Sequence, residues 1–223
     1  MSTLLPDAEG PALVSARKPK HTPRRERDAY YTPEFATAAL LEHEPGLRGQ
    51  TLLDPCCGDG RMAAQLGERF QSVGLNDIDA RIGTALDANC KQLRTFGKLA
   101  FLVHHNAAVD FPLWEEVDWV ITNPPWSHAS EIAQTALRHA RKGVALLVRL
   151  TFLEATRKRS WICGKPPDAV LCLPRISFDG SGQTDSAPPA WLLWGPSVTR
   201  RGIFVVGKHH PRQAALNFEG SQA

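Results

Sequence analysis

The decapeptide Thr51-Leu52-Leu53-Asp54-Pro55-Cys56-Cys57-Gly58-Asp59-Gly60 opens as a strand built for burial and closes as a glycine-rich turn, and residues 61–70 continue it with a helical pattern. Gly58 and Gly60 let the backbone turn tightly and approach a ligand with no Cβ in the way. A dinucleotide-binding turn would carry Gly-x-Gly-x-x-Gly and receive a pyrophosphate. Here Asp54 stands at the strand tip, where a carboxylate repels phosphate and suits a ligand ammonium group. The competing reading is a generic strand-turn-helix with glycines; Cys56 and Cys57 read as small buried packing residues. Working downstream, a second strand over residues 71–76 ends in Asp77-Ile78-Asp79, about twenty residues after the glycines. An acid at that distance accepts from both ribose hydroxyls of an adenosine-type ligand, so Asp77 takes the ribose and Ile78 covers the adenine face, while Asp79 suits the N-cap of a helix over 80–93.

A third strand is expected at 100–104 and a fourth at 118–122, and the fourth breaks off in Asn123-Pro124-Pro125-Trp126. The two prolines have no N–H and fix φ near about −65°, so the chain is locked as it leaves the sheet. Asn-Pro also begins ordinary turns. As a site, the Asn123 amide, the Pro124 carbonyl and the Trp126 ring suit a planar heterocycle with an exocyclic amine: two acceptors for its N–H groups and a surface for stacking.

Together these stretches resemble the DNA adenine-N6 methyltransferases of phages and prophages, class I enzymes that use S-adenosyl-L-methionine, across residues 30–206. The resemblance implies an α/β, Rossmann-like fold: a mostly parallel seven-stranded sheet, a C-terminal antiparallel hairpin and helices on both faces. It implies a cofactor site of Asp54, Pro55, Cys56, Gly58, Gly60, Asp77 and Ile78, with Tyr31-Thr32-Pro33 lying against the methionine end. Where such families place an Asp against the cofactor's adenine amine, this chain offers the Asn106 amide oxygen. It also implies catalysis by Asn123, Pro124, Pro125 and Trp126 on a base taken out of its stack, with no metal and no covalent enzyme intermediate. Related sites serve RNA adenine, cytosine-N4 and protein glutamine; Trp126 leans towards a nucleobase without choosing between adenine and cytosine. A non-catalytic nucleic-acid-binding protein on the same fold is the alternative from another class.

Strands alternating with helices predict a parallel sheet whose ligands sit beyond the strands' carboxyl ends, where the site residues from Asp54 to Trp126 fall. Ser127 or Ser130 is expected to cap a helix through residue 140, with Arg138, Arg141 and Lys142 at its C-terminal end. A fifth strand is read at 143–150, a helix at 151–161 and short strands at 169–175, 190–194 and 202–206; Trp191 and Trp194 belong to hairpin packing. The loop 177–189 has no periodicity and is placed to close over a substrate. Arg157, Lys158 and Arg159 form a cluster more often solvated than bound to DNA.

Residues 1–28 read as a flexible basic arm, 29–208 as the catalytic domain and 209–223 as a flexible tail. Arg17, Lys18, Lys20, Arg24, Arg25 and Arg27 are opposed only by Glu26, a cluster that can neutralise several phosphates; read alone it is equally a solvated tail. The net charge of +3 is too small to argue partners from. Five cysteines without a Cys-x-x-Cys pair argue against a disulfide framework or zinc site and for a reduced cytoplasm. No apolar run is long enough for a membrane helix. No stretch is long enough for a separate recognition domain, which predicts a loose or short sequence preference, or a recognition partner protein, on duplex or single-stranded DNA.

Overall fold

Every side chain of β4 (Val117–Thr122) and of β7 (Pro189–Trp194) is buried, the burial a strand covered on both faces requires. The computed structural model describes residues 31–109, 116–154, 159–175 and 187–207. Their strands β1 (Gly49–Asp54), β2 (Phe70–Asn76), β3 (Leu99–Val103), β4, β5 (Ala140–Arg149), β6 (Ala169–Cys172), β7 and β8 (Gly202–Val205) form one sheet in the order β3-β2-β1-β4-β5-β7-β6-β8. The sheet has eight strands, the number read along the sequence and one more than the resemblance implied; the strand read at 202–206 is β8, on the far edge of β6. The first five are parallel, and β7 runs antiparallel to both β5 and β6.

Alternation along the strands divides the core in two. Leu52, Trp119, Ile121, Leu147 and Trp191 face α1 (Glu34–His43), α2 (Arg61–Leu66) and α3 (Gly83–Asn89). Leu53, Val120, Val144, Leu146 and Leu192 face α5 (Ala129–His139) and the short α6 (Trp161–Gly164). Leu52 is fully buried, so Leu52→Ala would cost about 2–5 kcal/mol. Two buried polar ties hold α1 against the sheet. Trp191 Nε1 donates to the Ala36 carbonyl at 2.7 Å, and Glu44 accepts from Thr199 N and Arg200 N at 3.1 and 3.0 Å.

Several local expectations change. The helix expected over 80–93 is a 3-10 turn, α3 and then α4 (Lys91–Thr95), broken at Cys90 (φ −93°, ψ 10°) where the Asn89 amide turns back onto the Asp59 carbonyl at 2.8 Å. Of the helix expected over 151–161, the residues described at its start form a 3-10 turn, Leu150–Leu153, followed by extended Glu154 (φ −64°, ψ 122°), while 155–158 lie outside the described residues. Neither serine caps α5: His128 holds that position without a side-chain bond, and Ser130 Oγ accepts from Trp161 Nε1 at 3.0 Å. Arg141 and Lys142 belong to β5, where they bond Asp118 at 3.1 and 2.9 Å. Burial pushes the Asp118 carboxyl up, but Lys142, the Gln50 N–H and Arg141 together hold it below the ordinary range. No helix among the described residues is long and apolar enough to cross a membrane.

Candidate functional site

The strand order reverses between β1 and β4, since β2 and β3 follow on one side of β1 and β5 lies beyond β4. Loops leaving the carboxyl ends of such neighbours diverge and open a crevice. Here the crevice is a cavity of about 440 Å³, within the range of small-molecule sites. Pro55, Cys56 and Gly58 wall it after β1, and Asp77, Ile78 and Asp79 after β2. His105 and Asn106 close it after β3, and Asn123, Pro125, Ser127 and His128 after β4.

The first three loops hold one another. Asp77 Oδ2 accepts from Gly58 N at 2.9 Å, and its Oδ1 from Asp79 N at 2.9 Å. A carboxylate has about four acceptor positions, so each oxygen keeps capacity for a ligand hydroxyl. Asn76, wholly buried, donates through Nδ2 to the Pro55 carbonyl (2.7 Å) and the His105 carbonyl (3.1 Å) and accepts from His105 N through Oδ1 (2.7 Å). Sequence reading passed over Asn76; its signal was an amide closing an apolar strand, which must find partners when buried. Asn106 Oδ1 already accepts from Ala108 N at 3.1 Å. Ile78 is half exposed on the cavity rim, and Asp79 bonds Arg81 N as the expected cap.

Both turn glycines sit at positive φ, 52° for Gly58 and 78° for Gly60. A Cβ on Gly60 would meet Leu86 Cδ1 at 2.5 Å and Cys90 Sγ at 2.6 Å, and one on Gly58 would press on Tyr31 Cδ1 at 3.2 Å. Gly60 thus serves packing behind the turn, while Gly58 serves the cavity. Tyr31 lines the cavity over Gly58, with the Arg61 guanidinium 5.4 Å from its ring and Arg61 paired to Asp59 at 2.6 Å. Thr32 is buried and Pro33 is the N-cap position of α1; neither forms the wall.

Asp54 lies behind the wall at zero exposure. Its Oδ1 accepts from Cys56 N at 3.2 Å, while Oδ2 has no hydrogen-bond partner among the described residues. Burial raises its carboxyl to about 7; the Thr122 hydroxyl and the Cys56 N–H pull the other way, and Asp77 adds to the rise. The Thr122 hydroxyl, buried in turn, falls outside hydrogen-bond geometry. A cation reaching this carboxyl would find a group whose ionised form lacks a counter-charge. Burial, with the carboxylates of Asp54 and Asp77, also raises the Cys56 and Cys57 thiols, which makes both poor nucleophiles.

The fourth loop is held differently. Asn123 is half-buried on the cavity wall, Pro124 is buried beneath it, and His128 N donates to the Pro125 carbonyl at 2.9 Å. Ser127 Oγ lies 3.0 Å from His128 Nδ1. Trp126 is not part of the cavity wall. Its ring carries the Arg149 guanidinium, whose central carbon is 3.7 Å from the ring centroid. Arg149, Ser127 and His128 were not singled out as site residues from the sequence. The basic residues Arg17, Lys18, Lys20, Arg24, Arg25 and Arg27, with Arg157, Lys158 and positions 177–186 of the 177–189 loop, lie outside the described residues.

A family model described as "Methyltransferase small domain" matches residues 30–150, just over half of the chain. No curated protein matches it. Among solved structures, the methyltransferase subunit of a type I restriction-modification system from Streptococcus thermophilus is 16% identical with a TM-score of 0.59, over 80% of this chain and 47% of that one. The chain therefore spans about half the length of that subunit. A dimethyladenosine transferase from Plasmodium falciparum is 18% identical with a TM-score of 0.55, over 74% of this chain and 61% of that one. A candidate methyltransferase from Streptococcus mutans, in complex with SAH, is 11% identical with a TM-score of 0.50, over 72% and 95%. At these identities the likeness is one of fold.

Proposed function

Because the chain belongs to the methyltransferase small-domain family, we propose that it transfers a methyl group from S-adenosyl-L-methionine to the exocyclic N6 amine of adenine in DNA, with a loose or short sequence preference. The observation that carries this reading is the meeting of two sites in one cavity: the Asp77-anchored loops of the first three strands and the Asn123-Pro124-Pro125 exit of the fourth. In this reading Asp77 accepts from the ribose hydroxyls, Ile78 covers the cofactor's adenine, Asn106 takes its amine and Tyr31 closes the methionine end. Asp54 answers the ammonium group through Cys56 and the turn.

The cofactor supplies a methyl group on a sulfonium, whose neutral thioether leaves readily. What the protein adds is alignment. Asn123 Oδ1 and the Pro124 carbonyl accept from the target amine and turn its lone pair towards the methyl. With the donor bound, these two acceptors would hold the amine nitrogen in line with the methyl as the N–C bond replaces the donor's S–C bond, and the amine's proton would leave to solvent. Placement of this kind supplies roughly 7–11 kcal/mol of barrier lowering in well-oriented systems. The prolines make the backbone part of the placement durable, because they fix their own φ and confine Asn123 to extended backbone, which holds the Pro124 carbonyl and the Cα that carries the amide.

The adenine assignment rests on the resemblance across residues 30–206 rather than on the Asn-Pro-Pro-Trp motif alone, and is in keeping with a structural neighbour that is a dimethyladenosine transferase. A nucleic-acid substrate is supported by the basic cluster from Arg17 to Arg27, and a neighbour that is a restriction-modification subunit fits DNA and a partner protein that supplies recognition. The test is transfer of a labelled methyl group from S-adenosyl-L-methionine to unmethylated DNA and RNA, with mass spectrometry of the product nucleosides. N6-methyladenine in DNA, abolished by Asn123→Ala, is the expected result. N4-methylcytosine, or methylation confined to RNA, would keep the mechanism and replace the substrate. No labelled nucleoside from either polymer would overturn the reading.

A further inference from the structure

We propose that Arg149 is a positioning residue for Trp126, fixing which face of the indole is offered to the acceptor base. The inference rests on the proposed function. It starts from a difference in distance among three cation–aromatic contacts. Arg61 stands 5.4 Å from the Tyr31 ring and Arg159 stands 5.5 Å from that of Phe152, both loose contacts. The Arg149 guanidinium carbon stands over the Trp126 ring 3.7 Å from its centroid, which is van der Waals contact with one face of the indole. A group at that distance fills the face it covers. A base stacking on Trp126 is thereby restricted to the opposite face.

The register explains why Arg149 reaches there. Thr122, the last residue of β4, pairs with Leu146 of β5, so β5 runs three residues further to Arg149. That overhang lies beside the chain as it leaves β4 through Asn123 towards Trp126. Its backbone is pinned from the other side, with Arg149 paired to Pro189 and Leu150 N donating to the Pro188 carbonyl at 2.9 Å. The guanidinium is therefore presented by a central strand rather than a free loop, and Trp126 sits in a turn between the two prolines and α5, closed by the His128 N–H on the Pro125 carbonyl at 2.9 Å. Arginine also combines permanent charge with a plane that matches the indole. Lysine would keep the charge and lose the plane.

The experiment is a double-mutant cycle on methyl transfer to an adenine-containing oligonucleotide, with Arg149→Met, Trp126→Leu, their combination, and Arg149→Lys. Calorimetric binding of S-adenosylhomocysteine, within twofold of wild type in every variant, certifies that each chain is folded. Arg149→Met is expected to lower kcat/KM about tenfold, mainly through KM for the oligonucleotide. The double variant is expected to be no worse than Trp126→Leu alone, and Arg149→Lys to recover only part of the loss. A change under twofold in Arg149→Met would overturn the proposal. So would effects that multiply in the double variant, with a shallower salt dependence, since Arg149 would then be touching phosphate on its own account. Trp126 emission, taken as the difference between wild type and Trp126→Leu without substrate, is expected to shift in Arg149→Met. If wild-type protein methylates no nucleic acid, the proposed function fails and this emission alone decides the positioning role: an unshifted spectrum would refute it.

Discussion

The two halves of the cavity are built on different principles. In the half formed by the ends of β1, β2 and β3, the loops are cross-linked by side-chain hydrogen bonds: Asn76 joins the Pro55 and His105 carbonyls, and Asp77 joins Gly58 to Asp79. In the half after β4, Asn123 is held by two prolines and its neighbour Trp126 by a stacked guanidinium. The first half is thus part of the fold's own bonding, and a change there reaches both stability and ligand binding. The second half stands on a proline-restricted strand exit and the Arg149–Trp126 contact, so its chemistry can be removed while the cross-links of the first half stand.

The sharpest way to break that contrast is Asn123→Ala. Methyl transfer is expected to fall by about a thousandfold or more while cofactor affinity stays within threefold, measured by single-turnover kinetics and calorimetry side by side. A matching loss of cofactor affinity would show the halves to be one unit. Asp77→Ala is the opposite case. Two backbone N–H groups lose their acceptor and the ribose loses its partner, so cofactor affinity should drop about 10–100-fold and the melting temperature should fall with it.

Asp54 sharpens the comparison through pH. Its carboxyl is raised from 3.8 to about 7, so the free folded chain keeps a proton that the unfolded chain has already lost. Stability of the free protein should therefore fall as pH rises between those values and level off above them. A cationic cofactor prefers the carboxylate, so affinity should climb with pH by up to about tenfold per unit below neutrality and flatten above it. Asp54→Asn should bind weakly and without that slope in calorimetry; an unchanged slope would place the proton elsewhere. The smallest effect is expected from Ile78→Ala. This half-exposed side chain covers one face of a ligand, so two- to fivefold in cofactor affinity, about 1 kcal/mol, is its share.

Much of this was open to reading in one dimension because it depends on short-range rules. The strand-turn-helix from Thr51, the acid at Asp77 and the proline-locked exit at Asn123 each announce themselves within ten residues, and parallel-sheet geometry places strand ends together. Boundaries and breaks were harder. The split of the helix over 80–93 depends on Asn89 meeting Asp59, thirty residues away in sequence. The two lysine and arginine positions expected to end α5 are drawn into β5 by Asp118 on the neighbouring strand.

By itself, then, the sequence determined the alternation of elements, the order of the motifs and the chemical character of each loop, since these follow from periodicity, φ restriction and side-chain type. Only the tertiary structure decided that Asp54 sits behind the wall with one oxygen unpartnered, that Asn76 is the knot between three loops, and that Arg149 covers one face of Trp126. Each of those is a relation between residues on different strands, set by register and burial, and no local pattern encodes which side chains a sheet will bring within 4 Å of each other.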